Sequence, residues 1–135
     1  MVDDDLDDQL IATGYFEYFS LQDKVKYLQD GSQAIAYLES IEDSELPDLI
    51  ILDMSMPILN GTQTLIQIKR DARLKNVPVI IYSTSANENE KRKCQNFGAF
   101  DYAVKPSSYQ DGIKLFKEFL KHVSQEILID RSVQP

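Results

Sequence analysis

Residues 47–53 read Pro47-Asp48-Leu49-Ile50-Ile51-Leu52-Asp53. Four consecutive apolar residues, with no polar alternation, describe a strand covered on both faces, as in a parallel sheet packed between helices. Val79-Ile80-Ile81-Tyr82 repeats the pattern, while Val25-Lys26-Tyr27-Leu28 and Tyr102-Ala103-Val104 are shorter and read as less central strands. Helix-period segments lie between them, over Leu6 to about Phe19, Ser32–Ile41, Thr62–Asp71, Glu88–Phe97 and Tyr109 to about Ile127. In the last of these, Ile113, Phe116, Phe119, Leu120, Val123 and Ile127 form one apolar stripe. Glu88–Phe97 is polar almost throughout and should stay exposed over the sheet edge. Strands alternating with helices make this an α/β chain with a parallel sheet.

Composition narrows the function. The 135 residues are long enough for one core, so residues 1–127 are read as one domain and 128–135 as a tail. Acidic residues number 22 against 14 basic ones, for a net charge of −8, which argues against a nucleic-acid surface. No apolar run reaches the roughly 20 residues of a membrane span, and the acidic start is unlike a signal peptide. The single cysteine, Cys94, rules out an internal disulfide and fits a cytoplasmic location; with only His122 beside it, Cys/His metal sites are excluded. The charge is uneven, −12 over residues 1–60 and +4 over 61–135. By themselves, Asp3, Asp4, Asp5, Asp7 and Asp8 read as a solvated acidic run or as acids at a helix start.

The residues that end the strands alter that reading. Leu52 is followed by Asp53, Tyr82 by Ser83, Val104 by Lys105, and Val2 by Asp3 and Asp4. In open α/β sheets, ligand chemistry gathers at the carboxyl ends of the strands. The fold would thus bring three carboxylates, a hydroxyl and an ammonium to one rim. Clustered carboxylates repel unless a hard cation neutralises them, and Mg²⁺ suits an all-oxygen site that keeps waters for a phosphate. A lysine there can hold a phosphoryl oxygen, and a carboxylate can attack phosphorus to give an acyl phosphate. The remaining work is positioning and charge screening.

In this order, the residues resemble the receiver domain of two-component response regulators, the CheY-like group. The match runs through Asp3-Asp4, Pro47 to Asp53, Met56-Pro57, Asn60-Gly61, Pro78 to Ser83, Gly98-Ala99 and Tyr102-Ala103-Val104-Lys105-Pro106. The resemblance implies a flavodoxin-like, doubly wound five-stranded parallel sheet of strand order 2-1-3-4-5. It also implies roles. Asp53 is the phosphoacceptor; Asp4 and Asp53 bind Mg²⁺ with their carboxylates, Ser55 with its backbone carbonyl, and Asp3 through water. Lys105 contacts the phosphoryl group, Ser83 moves to hydrogen-bond it, and Tyr102 swings inward as Ser83 moves. The Lys105–Pro106 bond is expected to be cis. Such a chain is a signalling switch rather than an enzyme. Its partners are a sensor histidine kinase or a histidine phosphotransfer protein, and a downstream protein. The latter would dock on the face joining the fourth helix, the fifth strand and the fifth helix, which could instead support a homodimer. With the chain ending after that helix, no output domain is expected.

Two departures stand out. Only Met1 and Val2 precede Asp3, so the central first strand is abbreviated, and a few residues upstream are expected to complete it. Thr84 follows the switch Ser83 where the family usually carries a smaller residue, which should crowd access to Asp53. Two rival readings remain. One is an interaction module of receiver shape that works without phosphorylation. The other, an aspartate-nucleophile phosphatase, is weakened because Ser55 stands where such enzymes carry a second acid. His122 reads as a surface or packing residue, Cys94 as an ordinary thiol, and Lys91-Arg92-Lys93 as a solvated face near the partner surface.

Overall fold

Each helix begins on a side chain suited to hold its first free amides. Asp5, Asp30, Asn60, Asn87 and Ser108 each accept a hydrogen bond from a backbone N–H two or three residues on. These caps open α1 (Leu6–Tyr18), α2 (Gly31–Ser40), α3 (Gly61–Arg70), α4 (Glu88–Asn96) and α5 (Tyr109–Leu120). At α3 the cap is reciprocal, Gln63 Oε1 accepting in turn from the Asn60 amide. The computed structural model describes residues 1–123. α5 ends at Leu120 and residues 121–123 form a turn and a bend, short of the expected helix to about Ile127, while residues 124–127 and the tail at 128–135 lie outside the described residues.

Three strands, β1 (Ile50–Asp53), β2 (Val79–Ser83) and β3 (Asp101–Val104), form a parallel sheet in that order. Side-chain alternation sorts their apolar residues between two layers. Ile50, Leu52, Val79, Ile81 and Tyr102 face a core completed by Ala34, Leu38, Leu65 and Ile68 of α2 and α3 and by Cys94 of α4. Ile51, Ile80, Tyr82 and Ala103 face Ala12, Tyr15 and Phe16 of α1 and Phe116, Phe119 and Leu120 of α5. Both layers are closed, which is why the strands read as unbroken apolar runs rather than as alternating ones.

The structure corrects the expected five strands. Residues 25–28 and the residues before Asp3 do not form strands; Val2 instead makes two isolated parallel bridges, to Leu28 and to Leu52. Val2 nonetheless sits between them, its amide donating to the Ile51 carbonyl (2.8 Å) and its carbonyl accepting from Asp53 (2.9 Å). On the other side, Leu28 accepts from Asp3 (3.0 Å) and donates to Met1 (3.0 Å). The spatial sequence Leu28, Val2, β1, β2, β3 therefore keeps the expected order, its first two members present as bridges. At the amino ends of the strands a cavity of about 310 Å³ remains, lined by Met1, Leu21, Val25, Leu38, Leu49 and Leu120 among others.

The expected cis Lys105–Pro106 bond is also corrected, since no peptide bond among the described residues is cis. Trans is the lower-energy form of an X–Pro bond, and in this form the Lys105 amide still reaches the Ser83 carbonyl at 2.7 Å. As the composition suggested, no helix among the described residues is long and apolar enough to cross a membrane.

Candidate functional site

The sheet delivers its polar strand ends to one rim. Asp53 ends β1 and pairs in register with Tyr82, one residue before Ser83 at the end of β2. Lys105 follows β3 directly. Asp3 enters through the Val2 bridge and is fixed by the fold around it. Its Oδ1 accepts from the Asp5 amide (3.0 Å), and its backbone carbonyl accepts from the Gln9 side-chain amide (2.6 Å). Asp3 is wholly buried and Asp53 is 5% exposed.

One ammonium serves several carboxylates. Lys105 Nζ lies 2.7 Å from Asp8 Oδ2, 3.0 Å from Asp3 Oδ2 and 3.3 Å from Asp53 Oδ1. It also stands 5.5 Å from the centre of the Tyr82 ring. Asp3, Asp4 and Asp53 each present a carboxylate oxygen within 4.8 Å of the others, with Asp4 on the solvent side. Burial raises the Asp53 carboxyl to about 6, the neighbouring Asp3 charge adding to the rise and Lys105 opposing it. Burial likewise raises Asp3, against the opposing hydrogen bonds from the Asp5 amide and Lys105. For Lys105, burial alone would lower the ammonium, but its hydrogen bonds to Asp8 and Asp3 and the charge of Asp53 carry it above the ordinary lysine value. The site thus holds more negative charge than its lysine neutralises. An all-oxygen donor set with excess charge fits a small divalent cation.

The expected switch residues lie beside this cluster. Ser83 is buried, and its hydroxyl lies 3.3 Å from the Ser85 amide that donates to it and 3.5 Å from Glu90 Oε1. Tyr102 is 8% exposed, its hydroxyl donating to the Ser85 carbonyl (2.8 Å) and to Glu90 Oε1 (2.9 Å). The ring is thus already turned inward. Ser55 lies exposed in the loop leaving β1, and Thr84 is exposed immediately after β2.

Sequence reasoning missed two members of this neighbourhood. Asp8, the closest carboxylate to Lys105, read as one more acid at a helix start. Glu90 read as part of a polar, solvated helix. Each sits about one turn past its helix cap, Asp5 or Asn87, where a long or acidic side chain can lean back over the helix start. His122 packs edge-on against Phe100, with ring centres 4.4 Å apart, in agreement with a packing role, whereas Cys94 is fully buried against the sheet.

Known proteins are similar to this chain in sequence and in fold. The family described as response regulator receiver domain matches residues 1–119. A probable methanogenesis regulatory protein, FilR2, of Methanothrix harundinacea is 30% identical over 113 residues, which is 82% of this chain and 73% of that protein. Response regulator Rcp1 of Synechocystis is 28% identical over 118 residues, covering 85% of this chain and 80% of that one. Among solved structures, the phosphorylated cyanobacterial phytochrome response regulator RcpA superposes with a TM-score of 0.79 at 28% identity, over 89% of this chain and 88% of that one. The Mn²⁺-bound form of Rcp1 gives 0.72 at 25% identity, with the same coverage of each chain.

Proposed function

Because this chain belongs to the response regulator receiver domain family of two-component signalling, we propose that Asp53 accepts a phosphoryl group from a phosphohistidine on a sensor kinase or phosphotransfer protein. The observation that carries this reading is the buried rim where Asp53 lies 3.3 Å from Lys105 and shares a carboxylate cluster with Asp3 and Asp4. In the transfer, an Asp53 oxygen forms a bond to phosphorus as the phosphorus–nitrogen bond breaks, and the departing imidazole takes up a proton. Lys105 supplies a fixed positive charge for the phosphoryl oxygens. Asp53 and Asp4, with the Ser55 carbonyl, would hold Mg²⁺, Asp3 acting mainly through water. Bound there, the ion would screen the charge developing on the phosphoryl oxygens.

The protein is then a switch rather than an enzyme. Addition of the phosphoryl group recruits the Ser83 hydroxyl, and the change is read at the face made by α4, β3 and α5, where a downstream protein docks. The strand order 2-1-3-4-5 belongs to this reading, with the Leu28 and Val2 bridges standing where its first two members would lie. A cytoplasmic location fits the kinase partner.

Intact-mass analysis after incubation with acetyl phosphate and Mg²⁺ tests the proposal. One phosphoryl adduct that requires the metal and is lost in Asp53→Asn is the expected result. No adduct from acetyl phosphate or from a kinase, on folded protein, would favour a receiver-shaped module that works without phosphorylation. Thr84 sharpens the same assay. Thr84→Ala should accelerate adduct formation from acetyl phosphate several-fold by opening the approach to Asp53, and an unchanged rate would remove Thr84 as a gate.

A further inference from the structure

The most informative contact outside the carboxylate cluster is a shared acceptor. Oε1 of Glu90 takes the Tyr102 hydroxyl at 2.9 Å and lies 3.5 Å from the Ser83 hydroxyl. A single oxygen on α4 therefore touches the end of β2 and the inward ring of β3. Tyr102 also donates to the Ser85 carbonyl at 2.8 Å, so its one proton is divided between two acceptors. Glu90 is half-buried on a helix whose only buried residue is Cys94, and its own amide is held by the Asn87 cap. The carboxylate is thus anchored at its base and directed at two hydroxyls rather than into solvent.

We infer that Glu90 is the positioning residue that holds Tyr102 inward and links it to Ser83, so that α4, β2 and β3 respond together. The inference rests on the proposed receiver chemistry for its trigger. When the Ser83 hydroxyl is drawn toward a phosphoryl group on Asp53, its weak contact at 3.5 Å is given up, and Glu90 is left to Tyr102 alone. The geometry of the α4–β3 seam then changes through an oxygen that never touches the phosphoryl group. The exposed residues beside that seam, Val104 on β3 with Arg92 and Lys93 on α4, would pass the change to a partner.

Fluorine NMR on protein carrying 3-fluorotyrosine tests this, with the Tyr102 resonance assigned from Tyr102→Phe. Glu90→Ala should shift and broaden that resonance before any phosphoryl donor is added, and should greatly reduce its further movement on addition of acetyl phosphate and Mg²⁺. Glu90→Gln keeps an Oε1 acceptor and should restore a signal close to wild type. Both variants should still form the Asp53 adduct, because Glu90 contacts none of the site carboxylates in the hydrogen bonds and ion pairs described. An unmoved Tyr102 signal in Glu90→Ala would overturn the inference, as would Glu90→Gln behaving like Glu90→Ala. If the wild type forms no adduct, the receiver chemistry fails, while the comparison made without donor still decides whether Glu90 holds Tyr102.

Discussion

Lys105→Met is expected to destabilise the protein strongly near pH 7 and much less near pH 4. The ammonium lies within 3.3 Å of three carboxylates, of which Asp3 is wholly buried and Asp53 nearly so. Removing one partner of a buried ion pair typically costs about 3–5 kcal/mol. The low end of that range applies here, since Asp8 and Asp4 keep contact with water. The pH dependence follows from the direction of the shifts. The Asp53 carboxyl is raised to about 6 in the fold, against about 3.9 in an unfolded chain. Its favourable contribution is therefore complete below about pH 4 and is lost as pH rises through about 6. Asp3 is raised in the same direction. Without Lys105 both carboxyls rise further, so the deficit widens at neutral pH and shrinks in acid. Urea unfolding at the two pH values measures this, and Mg²⁺ should return part of the loss at pH 7. An equal deficit at both values would show that the methionine merely packs badly.

Phe116→Ala is expected to cost about 3–5 kcal/mol, the usual range for truncating a buried phenylalanine. Phe116 is fully buried, and its ring centre lies 4.8 Å from Tyr15, 5.1 Å from Phe16, 5.0 Å from Phe119 and 5.7 Å from Tyr82. It therefore ties α1 to α5 and both to β2. Aromatic pairs arranged edge-on or tilted add to the plain effect of burial. Loss of the ring leaves a cavity that four other aromatic side chains cannot readily collapse into, because each has its own packing neighbours. A shift in the urea midpoint equivalent to less than about 1 kcal/mol, below even a lost methylene or two, would show that this layer closes in some other way. Phe116→Leu should recover much of the loss.

Local chemistry made much of this legible. Leu49 to Asp53 and Val79 to Ser83 announced buried parallel strands because nothing polar interrupts them, and the residue closing each run had to sit at the rim. The helix starts were misplaced by one residue at Gly31 and Gly61, where a glycine follows the capping Asp30 or Asn60. At Gly61 an added Cβ would meet the Asp53 carbonyl at 2.4 Å, so close backbone approach explains the glycine there. What local sequence withheld was long-range placement. Asp8 meets Lys105 across 97 positions, and Glu90 acquires a role only once α4 is laid against Tyr102. The first strand differs in another way: its place in the sheet was readable, whereas here it is present as the Val2 bridges to Leu28 and Leu52. The cis bond expected from resemblance fell at an X–Pro pair, Lys105–Pro106, where the residues permit either isomer and do not choose between them.

Cys94 gives the molecule a built-in clock. Its thiol, the one cysteine in the sequence, is fully buried on α4 and rests 3.9 Å from the Met54 sulfur in the segment leaving β1. Burial also raises the pKa of the thiol, which keeps it in the unreactive protonated form. A maleimide or disulfide reagent can reach that sulfur only when α4 lifts from the sheet. The rate of labelling under native conditions therefore reports the opening of α4, with no probe introduced and no residue changed.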